Sequence, residues 1–210
     1  MQKNDSFDTL KTAKDAPEDP LSLFRQWFED AHETEAVFPD SMTLATVGAD
    51  GRPDARILLL KGFGPDGFVF YTNTLSKKGQ DLKVNPYACL CFYWKSCARQ
   101  VRVHGEVRSV TEAEANAYFA SRPRGSQIGA WASRQSETLP CRDDLFNRVS
   151  TFEETYAPER VSFIPRPPQW SGYRLVPDRM EFWSLAPFRL HMRVAYTQHE
   201  TIWSRELLNP

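Results

Sequence analysis

Tyr118, Arg122 and Ser126 fall four residues apart on either side of a Pro123–Gly125 break. A phenol, a guanidinium and a hydroxyl so spaced are the donors a phosphate ester needs. Thr111-Glu-Ala-Glu114 reads as a capping box that opens a helix. On that helix Tyr118 and Arg122 share one face. Pro123 pushes Arg122 out of helical geometry, and Gly125 permits a tight turn. Ser126 is then expected at the cap of a second short helix, whose free N–H groups favour an anion. An Arg-Pro surface turn with a serine cap would give the same string.

Arg189, His191 and Arg193 alternate at i, i+2 and i+4, so in a strand they would share one face. Two guanidiniums beside an imidazole suit a bound anion or aromatic ring; a solvated strand face is the alternative. Arg56 and Lys61 bracket the apolar run Ile57-Leu-Leu-Leu60. Their odd separation sends them to opposite faces unless the strand is irregular, which predicts a break near Leu60–Gly62. Otherwise they are two charges trimming a buried strand. Ser76-Lys-Lys78 follows Tyr71-Thr-Asn73 where a strand passes into a helix, a place where ammonium and backbone N–H groups can cradle phosphate. A solvated lysine pair is the ordinary alternative.

These residues need a scaffold, and the chain offers one of ordinary size. It has 210 residues, 41% hydrophobic and 25% charged, with a net charge of −1. That balance gives no broad footprint for nucleic acid or membrane. No apolar run is long enough to cross a bilayer, and the start lacks a secretory h-region. Cys89, Cys91, Cys97 and Cys141 show no zinc spacing, so no metal site is expected and a reduced, cytoplasmic protein is the simplest reading. No Gly-x-Gly-x-x-Gly fingerprint is present.

Residues 1–18 are polar and read as a mobile N-terminal segment, leaving one domain over 19–210. Helical spacing runs from Pro20 to about residue 33, and further helices are expected at Leu75–Val84, Thr111–Arg122 and Arg142–Tyr156. Strand signals cover Met42–Val47, Asp54–Lys61, Phe68–Asn73, Tyr87–Trp94, Arg99–Val110, Trp170–Leu175, Arg179–Ser184, Phe188–Gln198 and Thr201–Leu207. Many short strands with a few helices predict an α+β, mainly β protein built on a small antiparallel barrel.

The chain resembles the pyridoxine/pyridoxamine 5'-phosphate oxidase family. The resemblance rests on Arg56-Ile-Leu-Leu-Leu-Lys61-Gly, Phe70-Tyr-Thr-Asn73, Arg99-Gln-Val-Arg-Val103, Tyr118, Ser121-Arg-Pro-Arg124, Ser126-Gln-Ile-Gly-Ala-Trp131, Gln135-Ser136, Glu181-Phe-Trp183 and Arg189-Leu-His191. They occur in family order from about Asp19 to the C-terminus. The resemblance implies a homodimeric split β-barrel holding FMN at its interface. It implies FMN contacts from Arg56, Ile57, Leu58, Leu59, Leu60, Lys61, Tyr71, Thr72, Lys77, Lys78, Gln100, Gln135, Ser136, Trp183 and Arg193. Substrate contacts would come from Lys61, Tyr118, Arg122, Ser126, Arg189 and His191, the last two as catalytic residues.

The activity so implied is oxidation of pyridoxine or pyridoxamine 5'-phosphate to pyridoxal 5'-phosphate, with dioxygen giving hydrogen peroxide. A flavin oxidase or reductase for another small aromatic, or a flavin- or pyridoxal-phosphate-binding relative with impaired turnover, are the alternatives. Four departures from the family pattern lie at the rim: Met192 for an aspartate, Phe38 for an acidic residue, an N-terminal segment without Arg-x-x-Tyr, and Leu207-Leu-Asn-Pro210 at the end. Lys77 stands where arginine is more usual and loses the bidentate fork. Strand alternation predicts that Met192 points away from Arg189, His191 and Arg193.

Overall fold

The computed structural model describes residues 6–210. Helix α1 (Pro20–Thr34) starts where Asp19 accepts from the N–H groups of Leu21 and Ser22. Its 3.6-residue spacing aims Leu23, Phe24, Trp27 and Ala31 into the core. The Phe24 ring meets Phe63, Phe68 and Phe92 edge-on at 4.8–5.1 Å. Truncating such a side chain to alanine costs about 3–5 kcal/mol.

The strands are β1 (Ser41–Val47), β2 (Pro53–Leu59), β3 (Gly62–Gly64), β4 (Gly67–Asn73), β5 (Tyr87–Trp94), β6 (Arg99–Ser109), β7 (Trp170–Ser184), β8 (Met192–His199) and β9 (Ile202–Leu207). They form one antiparallel sheet in the order β2-β1-β5-β6-β7-β4-β3, with β8 on β7 and β9 on β8. The sheet curls into a split barrel, and α1 packs its apolar face into the core. Among the described residues no helix is long and apolar enough to cross a membrane.

Strand β7 organises the sheet. Along one edge it pairs with β6; along the other it pairs first with β4, from Trp170 to Leu175, and then with β8, from Arg179 to Ser184. The sequence suggested two strands, Trp170–Leu175 and Arg179–Ser184. They are one strand, because Pro177 falls between the two partners of that edge, where no ladder donor is required. The register slips between His104 and Gly105. There a Cβ on Gly105 would lie 1.9 Å from the Val176 carbonyl, so only glycine admits the crossing.

The segment expected to be mobile makes contacts over most of its length. Residues 1–5 lie outside the described residues, while 6–18 are docked on the barrel. Phe7 is buried edge-on against Trp27 at 4.7 Å, Ser184 Oγ donates to Asp8, and Tyr196 OH donates to the Pro17 carbonyl at 2.8 Å. Two apolar residues, Phe7 and Ala16, anchor a segment whose polarity suggested a free tail.

Helices α2 (Lys77–Val84), α3 (Glu112–Ser121), α4 (Arg124–Ala132) and α5 (Arg142–Thr155) complete the chain. Phe119 of α3 and Ile128 of α4 bury against Ile164 and Trp170, with Tyr71 and Tyr118 packed beside them. This second, smaller core fixes the helices over the β4 end of β7.

Candidate active site

The capping box on α3 is present: Glu114 N–H donates to Thr111 Oγ1, and Thr111 N–H donates to the Glu114 carboxylate. Arg122 is extended, at φ −74° and ψ 148°, as a residue before proline should be. The next helix starts at once, with Pro123 as its cap and its carbonyl accepting from Ser126 N–H at 2.8 Å. Ser126 is therefore the third residue of α4 and not its cap. Gly125 lies in the same first turn and has no positive φ. Pro123 supplies the break that Gly125 was expected to supply.

A cavity of about 370 Å³ opens beneath this junction, lined by Leu58, Tyr71, Thr72, Asn73, Arg122, Ser126, Gln135 and Trp170 among others. The Tyr118 ring stacks on Tyr71 at 4.0 Å, and the Arg122 guanidinium lies over Trp170 at 4.7 Å. Burial holds Arg122 below its ordinary pKa, the Tyr118 phenol acting in the opposite sense; a guanidinium stays charged regardless. Its Nη1 is buried and has no hydrogen-bond partner. That nitrogen faces the Trp170 and Phe119 rings, and the charge of the group, with no carboxylate beside it among the described residues, would favour an anion in the cavity that Arg122 helps to line.

The wall beyond is polar. Gln135 Oε1 accepts from Lys78 Nζ at 2.8 Å and from Thr72 Oγ1 at 3.4 Å. Ser136, at φ 74°, accepts on Oγ from the N–H of Lys77 at 3.1 Å. The start of α2 and the Gln135-Ser136 turn are thus tied together. Arg56 on β2 donates to the Leu44 carbonyl, to Thr46 Oγ1 at 2.7 Å and to Asp54. The predicted break near Leu60–Gly62 is present: β2 ends at Leu59 and β3 starts at Gly62. Between them Leu60 N–H donates to the Asp40 carbonyl and Lys61 N–H to that of Val69. Lys61 Nζ pairs with Asp40 at 2.8 Å and does not line the cavity. Leu58 does line it; Ile57 is exposed and Leu60 buried.

The remaining expected residues gather elsewhere. Gln100 of β6 pairs with Trp183 of β7, whose ring lies 4.7 Å from that of His191. His191 Nδ1 accepts from Ala186 N–H, which makes Nε2 the N–H nitrogen of the neutral ring. Arg193 donates to Glu181 through Nε and Nη2, at 3.0 and 2.7 Å. The expected strand Phe188–Gln198 is corrected: β8 begins only at Met192. Phe188 and Arg189 occupy a tight turn at φ 58° and 63°, so Arg189, His191 and Arg193 do not share one strand face. Pro187 and the end of the β7–β8 ladder at Ser184↔Met192 force that turn. Met192 packs against the main core, and the strand alternation from which its direction was expected does not extend back to Arg189 and His191.

Trp170 and Trp183 lie thirteen residues apart on β7, roughly 40 Å of extended chain at about 3.3 Å per residue. The two groups therefore sit towards opposite ends of one strand. Sequence reasoning overlooked Trp170, Asp40 and Asp81; the i, i+4 spacing of Lys77 and Asp81 was the available signal for the last.

This arrangement has known counterparts. A family model described as pyridoxamine 5'-phosphate oxidase matches residues 28–154, and one described as the pyridoxine 5'-phosphate oxidase C-terminal dimerisation region matches 170–210. The chain belongs to the pyridoxine/pyridoxamine 5'-phosphate oxidase family. It is 53% identical over 194 residues to the enzyme of that name from Myxococcus xanthus strain DK1622, covering 92% of this chain and 93% of that one. It is 48% identical over 212 residues to the one from Pseudomonas paraeruginosa strain PA7, covering 100% and 97%. Among solved structures, PhzG from Burkholderia lata 383, in complex with tetrahydrophenazine-1-carboxylic acid, superposes with a TM-score of 0.87 at 29% identity, covering 94% and 96%. As a member of this oxidase family the protein is an FMN-dependent enzyme with a split-barrel fold. Its matched dimerisation region supports a homodimer acting on a small molecule.

Proposed function

We propose that this protein oxidises pyridoxine 5'-phosphate or pyridoxamine 5'-phosphate to pyridoxal 5'-phosphate, using FMN and dioxygen. The observation that carries this reading is Arg122: a guanidinium held over Trp170 at the wall of the cavity that Ser126 also lines, with no carboxylate partner among the described residues. It fits the substrate phosphate, with the Tyr118 hydroxyl and Lys61 as further donors once Lys61 leaves Asp40. The FMN set also fits: Arg56, Lys77 and Lys78 for its phosphate, and Leu58, Tyr71, Thr72, Gln135 and Ser136 around the remainder. FMN held there would supply the redox chemistry, a two-electron oxidation at the substrate C4' carbon with dioxygen as the final acceptor and hydrogen peroxide as the co-product.

Gln100, Trp183, Arg189, His191 and Arg193 gather at the Ser184 end of β7, whereas the cavity is lined at its Trp170 end. In this reading they complete the cavity of the second copy across the two-fold. His191 would present Nε2–H to the substrate ring, and Arg189, exposed and without an ion pair among the described residues, would add positive charge there. A reduced cytoplasmic setting suits the four free cysteines.

The similarity to PhzG favours a second reading, oxidation of a larger aromatic acid, but its 29% identity is well below the 53% shared with the Myxococcus oxidase. The test is peroxide release by the FMN-loaded protein. Turnover with pyridoxine or pyridoxamine phosphate, and none with unphosphorylated pyridoxine, supports the proposal. Flavin binding without peroxide from either phosphate overturns it.

A further inference from the structure

Asp81 is the most deeply buried acid beside the basic cluster, 3% exposed on the second turn of α2. A carboxylate so placed is retained only where cations and donors compensate its lost hydration. Three groups do so. Lys77 Nζ bonds Oδ1 one helical turn away, Thr46 Oγ1 donates to Oδ2 at 2.9 Å, and Arg56 Nη2 stands 3.9 Å from Oδ2. The Thr46 hydroxyl has one proton, and giving it to Asp81 leaves its oxygen lone pairs to accept from Arg56 Nη1 at 2.7 Å. Asp81 thus sets the direction of a relay from Arg56 through Thr46. At the same time it pins Lys77 in one rotamer. The space is reserved as well: a Cβ on Gly48 would lie 2.7 Å from Asp81 Oδ1 and 3.0 Å from Lys77 Nζ.

We infer that Asp81 is a positioning residue for the FMN phosphate, acting through Lys77 and, by way of Thr46, through Arg56. It rests on the proposed role of those two cations. Lysine lacks the fork that would orient it, and the buried carboxylate supplies the fixed geometry instead. Lys78 is held independently, by Ser76 Oγ and Gln135, so the phosphate keeps one anchor when Asp81 is neutralised.

The experiment compares FMN with riboflavin, which lacks the phosphate, by flavin fluorescence titration of apoprotein. Asp81→Asn should weaken FMN binding roughly tenfold or more, the loss of one charge-assisted contact, and leave riboflavin affinity unchanged. Thr46→Val cuts only the branch to Arg56 in a near-isosteric buried site, and should give a smaller loss in the same ratio. Equal losses for both flavins, or a thermal midpoint that falls without a change in the ratio, make Asp81 merely structural and overturn the inference. Unchanged or tighter FMN binding overturns it too, since the acid would then be idle or a competitor for the cations. A wild-type protein that fails to bind FMN would instead strike at the reading of the site itself.

Discussion

Arg122→Ala separates the ligand-binding role of this side chain from its packing role. In the free protein Arg122 Nη1 makes no hydrogen bond, so truncation removes a buried unpaired donor and breaks none there. What is lost is the stacking on Trp170, at 4.7 Å, and on Phe119, at 5.6 Å, worth about 0.5–2 kcal/mol. Relief of the unsatisfied donor offsets part of that, and the thermal midpoint of the free protein should move by only a few degrees. With a phosphorylated substrate present the same deletion removes a charge-assisted contact of about 1.5–3 kcal/mol. That corresponds to a KM raised about 10- to 200-fold. Steady-state peroxide release gives KM, and the flavin absorbance per protomer reports retained FMN. An unchanged KM, or loss of FMN in parallel with substrate affinity, would refute the reasoning and make the Tyr118–Ser126 segment structural.

Other consequences can be checked directly. If each site draws on both protomers, mixing Arg122→Ala and His191→Ala subunits should restore roughly a quarter of wild-type activity through one intact site per hybrid dimer; no recovery after verified subunit exchange would place both residues in one protomer's site. Met192→Asp puts a carboxylate where a thioether packs on the main core, so the thermal midpoint should fall and activity should not rise. His104 is held below its ordinary pKa by burial first, then by Arg102 and Arg179, with Asp178 and Glu181 opposing. Its folded state resists protonation, so the stability it contributes is full above the unfolded value and declines as pH falls through that value towards the lower folded one. His104→Gln should therefore reduce the drop in thermal midpoint between about pH 7.5 and 5.5; an unchanged drop would assign it to other groups.

Much of the scaffold was legible because local signals agreed with tertiary ones. The apolar spacing of α1, the Thr111–Glu114 box, and the odd separation of Arg56 and Lys61 each dictate geometry within a few residues. The misreadings arose where pairing overrides pattern. The strand signal lapses between Leu175 and Arg179, yet β6 continues along the opposite edge and, with a register slip between His104 and Gly105, carries β7 past the gap. Phe188-Arg-Leu-His-Met192 alternates like a strand, but β7 ends at Ser184 and offers residues 188–191 no partner. Nor could polarity reveal that Phe7 caps the Trp27 end of the core.

The turn that defeated the strand prediction also bears on function. Phe188 is 94% exposed, and it and Arg189 both hold left-handed backbone that non-glycine residues reach at a cost of about 1–3 kcal/mol each. A protomer alone gains nothing visible from that strain: the Phe188 ring touches no other ring, and Arg189 pairs with no acid among the described residues. Leu185 and Leu190 beside them are exposed as well. The segment belongs to the matched dimerisation region, residues 170–210. Strain and exposed apolar surface in one turn are consistent with a feature whose stabilising contacts come from the second copy. The proposed division of the site follows the same line: one end of β7 builds the phosphate-binding cavity, and the other presents a preformed turn to its partner's.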